Sequence, residues 1–191
     1  FSAVKTTAYL GVLRRSLADA EFDDAQEAKR LALYPAILSG WKKTLKPRLV
    51  ATDPQFGLWA RLVGTPDDAF KAKLAAELLA KSATPIDPTL QAALTKKMPT
   101  KFDELVAAYG ELLATARGNP TLEFKPWRAL IEAANGPTTP TADSLVGSYV
   151  AADAQKHRSL IREVEAYKTS PKSPPRAMAM VDKAQPVNGN V

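Results

Sequence analysis

His157 is the only histidine among the 191 residues, and there is no cysteine. Those two facts remove most of the usual nucleophiles and ligands. A Ser-His-Asp arrangement would have to run through His157, which sits in Gln155-Lys156-His157-Arg158, a basic and polar stretch suited to a surface position. Thiol catalysis, thiolate metal centres and covalent haem attachment through C-x-x-C-H all need cysteine. Carboxylate pairs occur at Asp23-Asp24, Asp67-Asp68 and Asp103-Glu104. General acid–base work wants one carboxyl desolvated and another left ionised. Each of these pairs instead falls where a helix should begin, and there negative charge offsets the N-terminal dipole. No glycine-rich phosphate loop, G-x-G-x-x-G or G-K-[ST], is present. On this reading no residue carries a catalytic, cofactor or metal role, and no cofactor is expected.

Two constellations could bind without catalysing. Trp41, Trp59 and Trp127 each fall on an apolar stripe, which points to core packing; an exposed tryptophan would instead offer a face to a sugar or to another domain. Lys42, Lys43, Lys46 and Arg48 cluster beside Trp41. A formal net charge of +6 makes a nucleic-acid or anionic partner worth testing at that cluster. Such binding shows as cations gathered on one face, whereas the remaining basic residues are scattered among acids. Cations at a helix C-terminus are favourable in their own right, so a solvated helix end is the plainer reading, and nucleic acid is an unlikely partner.

The elements that position these residues read as helices. From Thr100 to Arg117 the apolar residues Phe102, Leu105, Val106, Tyr109, Leu112, Leu113 and Ala116 keep the spacing of one helix face. Thr100 is expected as N-cap, Asp103 as the acid closing a capping box, and Gly118-Asn119-Pro120 as the stop. A first helix is expected over Val4 to Leu17. A second follows Asp23-Asp24, with Leu31, Tyr34, Leu38, Trp41 and Leu45 along its seam. Pro35 must kink or break that helix near Leu33, and Lys46-Pro47 ends it. Asp53-Pro54, Thr65-Pro66 and Asp87-Pro88 each read as a cap followed by proline at the first helical position. These starts account for much of the excess of 15 prolines over the roughly ten that average usage gives. Pro126 to Ala134 and Val150 to Lys168 complete the set, the last carrying Leu160, Ile161, Val164 and Tyr167 on one side.

The fold class is therefore all-α, an irregular multi-helix bundle over residues 1–168 with a sub-boundary near 46–53. An extended tail, 169–191, follows. In the tail, Ala177 to Val181 has the length of one β-strand, and Met178 and Met180 share a side of it. A methionine can serve as an axial haem ligand, but with no attachment motif these two are read as packing residues. One strand makes no sheet, so the tail is expected to lead into a further domain of a longer chain. No apolar run approaches the roughly 18 residues that span a bilayer, and a core of this composition, 46% hydrophobic, needs neither metal nor disulfide to fold.

Three stretches resemble a known family. Asp53-Pro54-Gln55-Phe56-Gly57-Leu58-Trp59, the segment from Pro99 through Tyr109-Gly110-Glu111-Leu112-Leu113, and Pro174-Pro175-Arg176-Ala177-Met178-Ala179-Met180-Val181-Asp182 are similar to the planctomycete cytochrome-c-domain proteins. Those are large exported chains in which a haem domain precedes two long domains of uncharacterised function. The resemblance covers about Asp53 to Val191. It implies a helical connector between those two domains, exported to the periplasm or cell envelope with its parent and partnered by the flanking domains. The family offers no catalytic residue to carry over, and its haem motif has no counterpart here. The expectation is a structural or protein-interaction module, with two rivals: an accessory domain for complex polysaccharide, and a basic anion or nucleic-acid binder.

Overall fold

The computed structural model describes residues 2–80, 85–134, 136–139 and 151–169. Every regular element among them is helical. The α-helices are α1 (Ala3–Ala18), α2 (Asp24–Arg30), α3 (Pro35–Leu45), α4 (Gly57–Leu62), α5 (Asp67–Leu79), α6 (Pro88–Lys96), α7 (Phe102–Gly118), α8 (Lys125–Ile131) and α9 (Ala151–Thr169). Single 3-10 turns at Lys46–Arg48 and Leu122–Phe124 join them. The all-α expectation holds across these residues, while the strand expected at 177–181, with Met178 and Met180, lies outside them. Two compact units result, Phe1–Tyr149 and Val150–Val191; the described part of the second is α9.

In the first unit α7 is the axis. Phe102, Leu105, Val106, Tyr109, Leu112, Leu113 and Ala116 are all buried, the same face that their spacing marks out. The most extensive helix contact is between α7 and α1, and it closes on Gly110. A Cβ there would overlap the Thr7 hydroxyl and stand 3.0 Å from the Thr7 backbone nitrogen and 3.1 Å from its Cα. Only glycine lets the two backbones approach that closely. Helix α8 and, less extensively, α6 pack on the other sides of α7. A similar approach joins α3 to the segment after α8, where a Cβ on Gly40 would lie 2.9 Å from the Gly136 carbonyl.

Pro35 breaks the second helix outright instead of kinking it. Helix α2 stops at Arg30, Ala32 turns into the left-handed region at φ 49°, and Pro35 opens α3 at its first turn. The cost of a left-handed alanine is on the order of 1 kcal/mol, and α1 supplies the bonds that offset it. Lys5 Nζ donates to the carbonyls of Leu31 and Ala32 at 3.3 and 3.0 Å, and the Tyr34 N–H donates to Tyr9 Oη at 2.9 Å. The seam expected to run on from Leu31 therefore begins at Leu38. Tyr34 is the N-cap of α3 and lies exposed.

Local capping departs from expectation in three places. Thr100 is not the N-cap of α7; Lys101 is. Glu104 closes the turn, accepting the Thr100 N–H at 2.7 Å and its hydroxyl at 3.0 Å. Asp103 is instead drawn to Arg14 of α1, whose guanidinium lies 4.6 Å above the Phe102 ring. Pro66 is itself the extended N-cap of α5, so proline there precedes the helix. Asp53 caps as expected, accepting the N–H groups of Gln55 and Phe56 at 2.8 Å, but it closes a turn that leads into α4, which begins at Gly57. Asp87 and Pro88 open α6 as read.

Two outcomes follow from this packing. Gly110→Ala should lower stability by about 1–3 kcal/mol through overpacking, while Gly11→Ala, where a Cβ meets nothing within 4 Å, should raise it by roughly 0.5–1 kcal/mol by removing a helix glycine; urea unfolding of the pair measures both. Glu27 lies between two guanidiniums, bonded to Arg30 at 2.6 and 2.7 Å and to Arg15 at 2.7 Å. The Arg30 hydrogen bond, followed by the charges of Arg30 and Arg15, holds its carboxyl at about 2 against an ordinary 4.5. A depressed carboxylate stabilises the fold above its unfolded value and stops doing so as pH falls through the folded one. The acid limb of stability between pH 4.5 and about 2 should therefore flatten in Glu27→Gln, as read from unfolding midpoints across that range.

Candidate functional site

The three tryptophans are core residues. Trp41 and Trp127 are 0% exposed and Trp59 2%, so none presents the open ring face that stacking on a sugar requires. Their role as a binding surface is corrected to packing, because the α4, α7 and α8 side chains close over one another. Trp59 meets Phe102 edge-on at 5.2 Å and Tyr109 at 5.5 Å. Tyr109 stacks on Phe56 at 5.0 Å and 21°, and Trp127 lies 6.0 and 6.1 Å from Phe56 and Tyr109. Tilted and edge contacts of this kind add to area burial.

The polar handles of this aromatic cluster are spent on the backbone that frames it. Tyr109 Oη donates to the Gln55 carbonyl at 2.8 Å, and burial pushes its pKa far above the ordinary phenol value. A perturbed group in a cleft is a candidate for chemistry, but this side chain is fully buried and its hydroxyl stays protonated as a fixed donor. Trp127 Nε1 donates to Asp87 Oδ1 at 3.0 Å. The same oxygen accepts the N–H groups of Thr89 and Leu90 at 2.9 and 3.2 Å, and the Asp87 N–H donates to the Pro54 carbonyl at 2.8 Å. The Asp87 carboxylate thus caps α6 and satisfies a buried indole, while its backbone N–H ties down the 53–56 turn.

The basic group is dispersed. Lys42 pairs with Asp24 of α2. Arg48 donates to Gln55 Oε1 at 3.1 Å and lies 3.6 Å from Asp53. Lys43 and Lys46 are exposed, and they border different grooves. Lys43 and Arg48 flank a shallow space of about 340 Å³ against Ala129 and Ala133, whereas Lys46 borders one of about 280 Å³ among Arg14, Leu17 and Val63, with Trp59 in its floor. Two of the four cations are neutralised, so they make no continuous anionic-ligand face, which leaves the helix-end reading. The expected carboxylate pairs are likewise spent singly: Asp23 caps α2 through the Gln26 N–H at 2.9 Å, Asp24 meets Lys42, and Asp103 meets Arg14. Among the described residues there is no group of three His, Asp or Glu side chains placed to hold a metal ion, and no helix is long and apolar enough to cross a membrane.

Two surface features remain. A groove of about 430 Å³ runs between α6 and α7 over Ala93, Met98, Ala108 and Leu112, rimmed by Lys97, Glu104 and Glu111. Sequence reasoning missed it, although the small residues Ala93 and Ala107-Ala108 on facing helices are the signal, since they leave the space unfilled. Glu104 is committed to Thr100, which holds its carboxyl below the ordinary range, so the rim offers no acid–base pair. The second feature is the stripe of α9: Leu160, Ile161 and Val164 are about half exposed and Tyr167 is 56% exposed. Its spacing was legible; its degree of exposure was not. His157 lies on the same helix, part-exposed.

Comparisons of the chain with protein-family models, with curated proteins and with solved structures find no match. Replacing the carboxylate at the centre of the framework tests how the tryptophans are held. Asp87→Ala removes a helix cap, about 1 kcal/mol, and strands a buried indole N–H, a further roughly 1–3 kcal/mol. A loss of about 2–4 kcal/mol in urea unfolding is expected, with native emission blue-shifted and resistant to iodide in both proteins.

Proposed function

We propose that this protein is a structural and protein-interaction module, without catalysis of its own, inside a larger exported cell-envelope protein. The docking element is α9. The observation that carries the reading is the α9 stripe: four large apolar side chains on one face of a 19-residue helix, each half open to solvent. Single exposed apolar residues are ordinary, but a contiguous apolar face marks an interaction surface. A helix presenting anchors at this spacing is a common recognition device between proteins.

The first unit supports the same reading from the other direction. Its aromatic rings, buried hydroxyl and capping carboxylates are all engaged in holding the fold. The polysaccharide alternative loses its platform because the tryptophans are inside, and the nucleic-acid alternative loses its patch because Lys42 and Arg48 are paired. The export and the parent protein rest on the family resemblance of Asp53–Trp59, Pro99–Leu113 and Pro174–Asp182.

The test is a double substitution, Leu160→Glu with Val164→Glu, in the full chain. Exposed-face changes alter stability by only about 0.5 kcal/mol, so the near-ultraviolet circular dichroism and the main thermal transition should stay unchanged. Association should fall at least tenfold, measured by sedimentation equilibrium of the chain and by titration against the domains encoded on either side of it. Undiminished association, or none detectable in the unaltered protein, refutes the reading.

A further inference from the structure

We infer that the partner of α9 is α9 of a second copy of this chain, paired in parallel and in register as a short two-stranded coiled coil. This rests on the reading of α9 as the docking element. His157, Leu160, Val164 and Tyr167 advance by three, four and three residues, the seam of a helix wound on another. With His157 and Val164 at the a positions and Leu160 and Tyr167 at d, the central layers are a β-branched residue at a and leucine at d, the combination that favours two parallel strands.

The flanks agree with the same pairing. Glu163 precedes Val164 at a g position, and Lys168 follows Tyr167 at e, so in parallel register Glu163 of each copy faces Lys168 of the other. Two symmetry-related ion pairs then flank the seam. Lys168 bonds Glu165 of its own helix at 2.6 Å, so Glu163 of the other copy must compete with Glu165 for that ammonium. In an antiparallel arrangement that sets Leu160 against Val164 of the other copy, the two Glu163 carboxylates converge. Charge therefore selects the parallel form.

Area sets the strength. At half exposure each apolar side chain offers on the order of 100 Å², so Leu160, Val164 and Tyr167 on two helices bury roughly 600 Å², below the roughly 1,200 Å² of stable complexes. The pair is therefore a weak and reversible one. His157 facing its counterpart keeps it so, since polar residues at an a position cost stability in exchange for fixing register.

The experiment uses the full chain. Sedimentation equilibrium should give a monomer–dimer curve, with Glu163→Lys weakening it at least fivefold and the double change Glu163→Lys with Lys168→Glu restoring it. His157→Val should tighten it at least tenfold. Because the chain has no cysteine, Leu160→Cys reports orientation: mild oxidation should yield a covalent dimer, whereas Arg162→Cys, on the outer face, should not. A chain that stays monomeric at several hundred micromolar, or a charge reversal that fails to restore pairing, overturns the second-copy assignment. If the flanking domains still bind in a Leu160-dependent way in that case, the docking reading survives without it; if they do not, both fall.

Discussion

The contact on which the first unit depends is the crossing of α1 and α7 at Gly110 and Thr7. Without a side chain at Gly110 the two backbones close to van der Waals distance, and α1 is thereby fixed along its length. Its N-terminal part then reaches the break between α2 and α3, where Lys5 and Tyr9 satisfy groups that a left-handed alanine would leave open. Its C-terminal part brings Arg14 to Asp103 and over Phe102, which holds the start of α7. One close approach in the middle thus organises both ends. A methyl group at Gly110 would act on all of these at once, because packed helices shift as bodies.

A second constraint is the scarcity of buried polar groups. Thr6 and Gln55 are the polar residues buried among the described positions, and the cluster of five rings beside Gln55 is framed by backbone at 53–56 and 87–90. Asp53 and Asp87 each serve several donors, which lets two turns be fixed with little polar burial. Arg61 does similar work nearby, reaching Glu77 at 2.7 Å and the Ala51 carbonyl at 2.7 Å. A catalytic site needs the opposite arrangement, with polar groups preorganised toward an open space. Asp53, Asp87 and Arg61 are instead turned to the loops they hold.

Much of this was legible from residue order. The buried face of α7 follows from period alone, and Asp87-Pro88 reads as a helix start because both its fixed φ and its missing N–H suit that position. Capping between neighbours was less legible, because it is a competition. Asp103 and Glu104 are equally good local acids for Thr100, and the choice between them is made by Arg14, eighty-nine positions away in sequence. The same holds for the basic cluster: Lys42 looks free until Asp24 arrives from another helix. The tryptophans were ambiguous for a different reason, since an apolar stripe with a tryptophan on it reads alike whether a neighbour covers it or solvent does.

That ambiguity is why α3 and α9 part company. Both carry apolar residues at alternating steps of three and four, and period alone assigns both a partner. In α3 the stripe is Leu38, Trp41 and Leu45, buried within the first unit. In α9 the stripe is narrower, and acids and bases crowd up to its edges at Glu163 and Lys168. Charges beside an apolar seam do not by themselves decide a helix's place, since Lys42 of the buried α3 stripe stands next to Trp41 and pairs with Asp24. A helix that meets a partner at a solvent-exposed border keeps such charges hydrated and uses them to choose that partner and its direction. Exposure, more than apolar spacing or flanking charge, separates the two helices: the α3 stripe is enclosed by the first unit and the α9 stripe is half exposed.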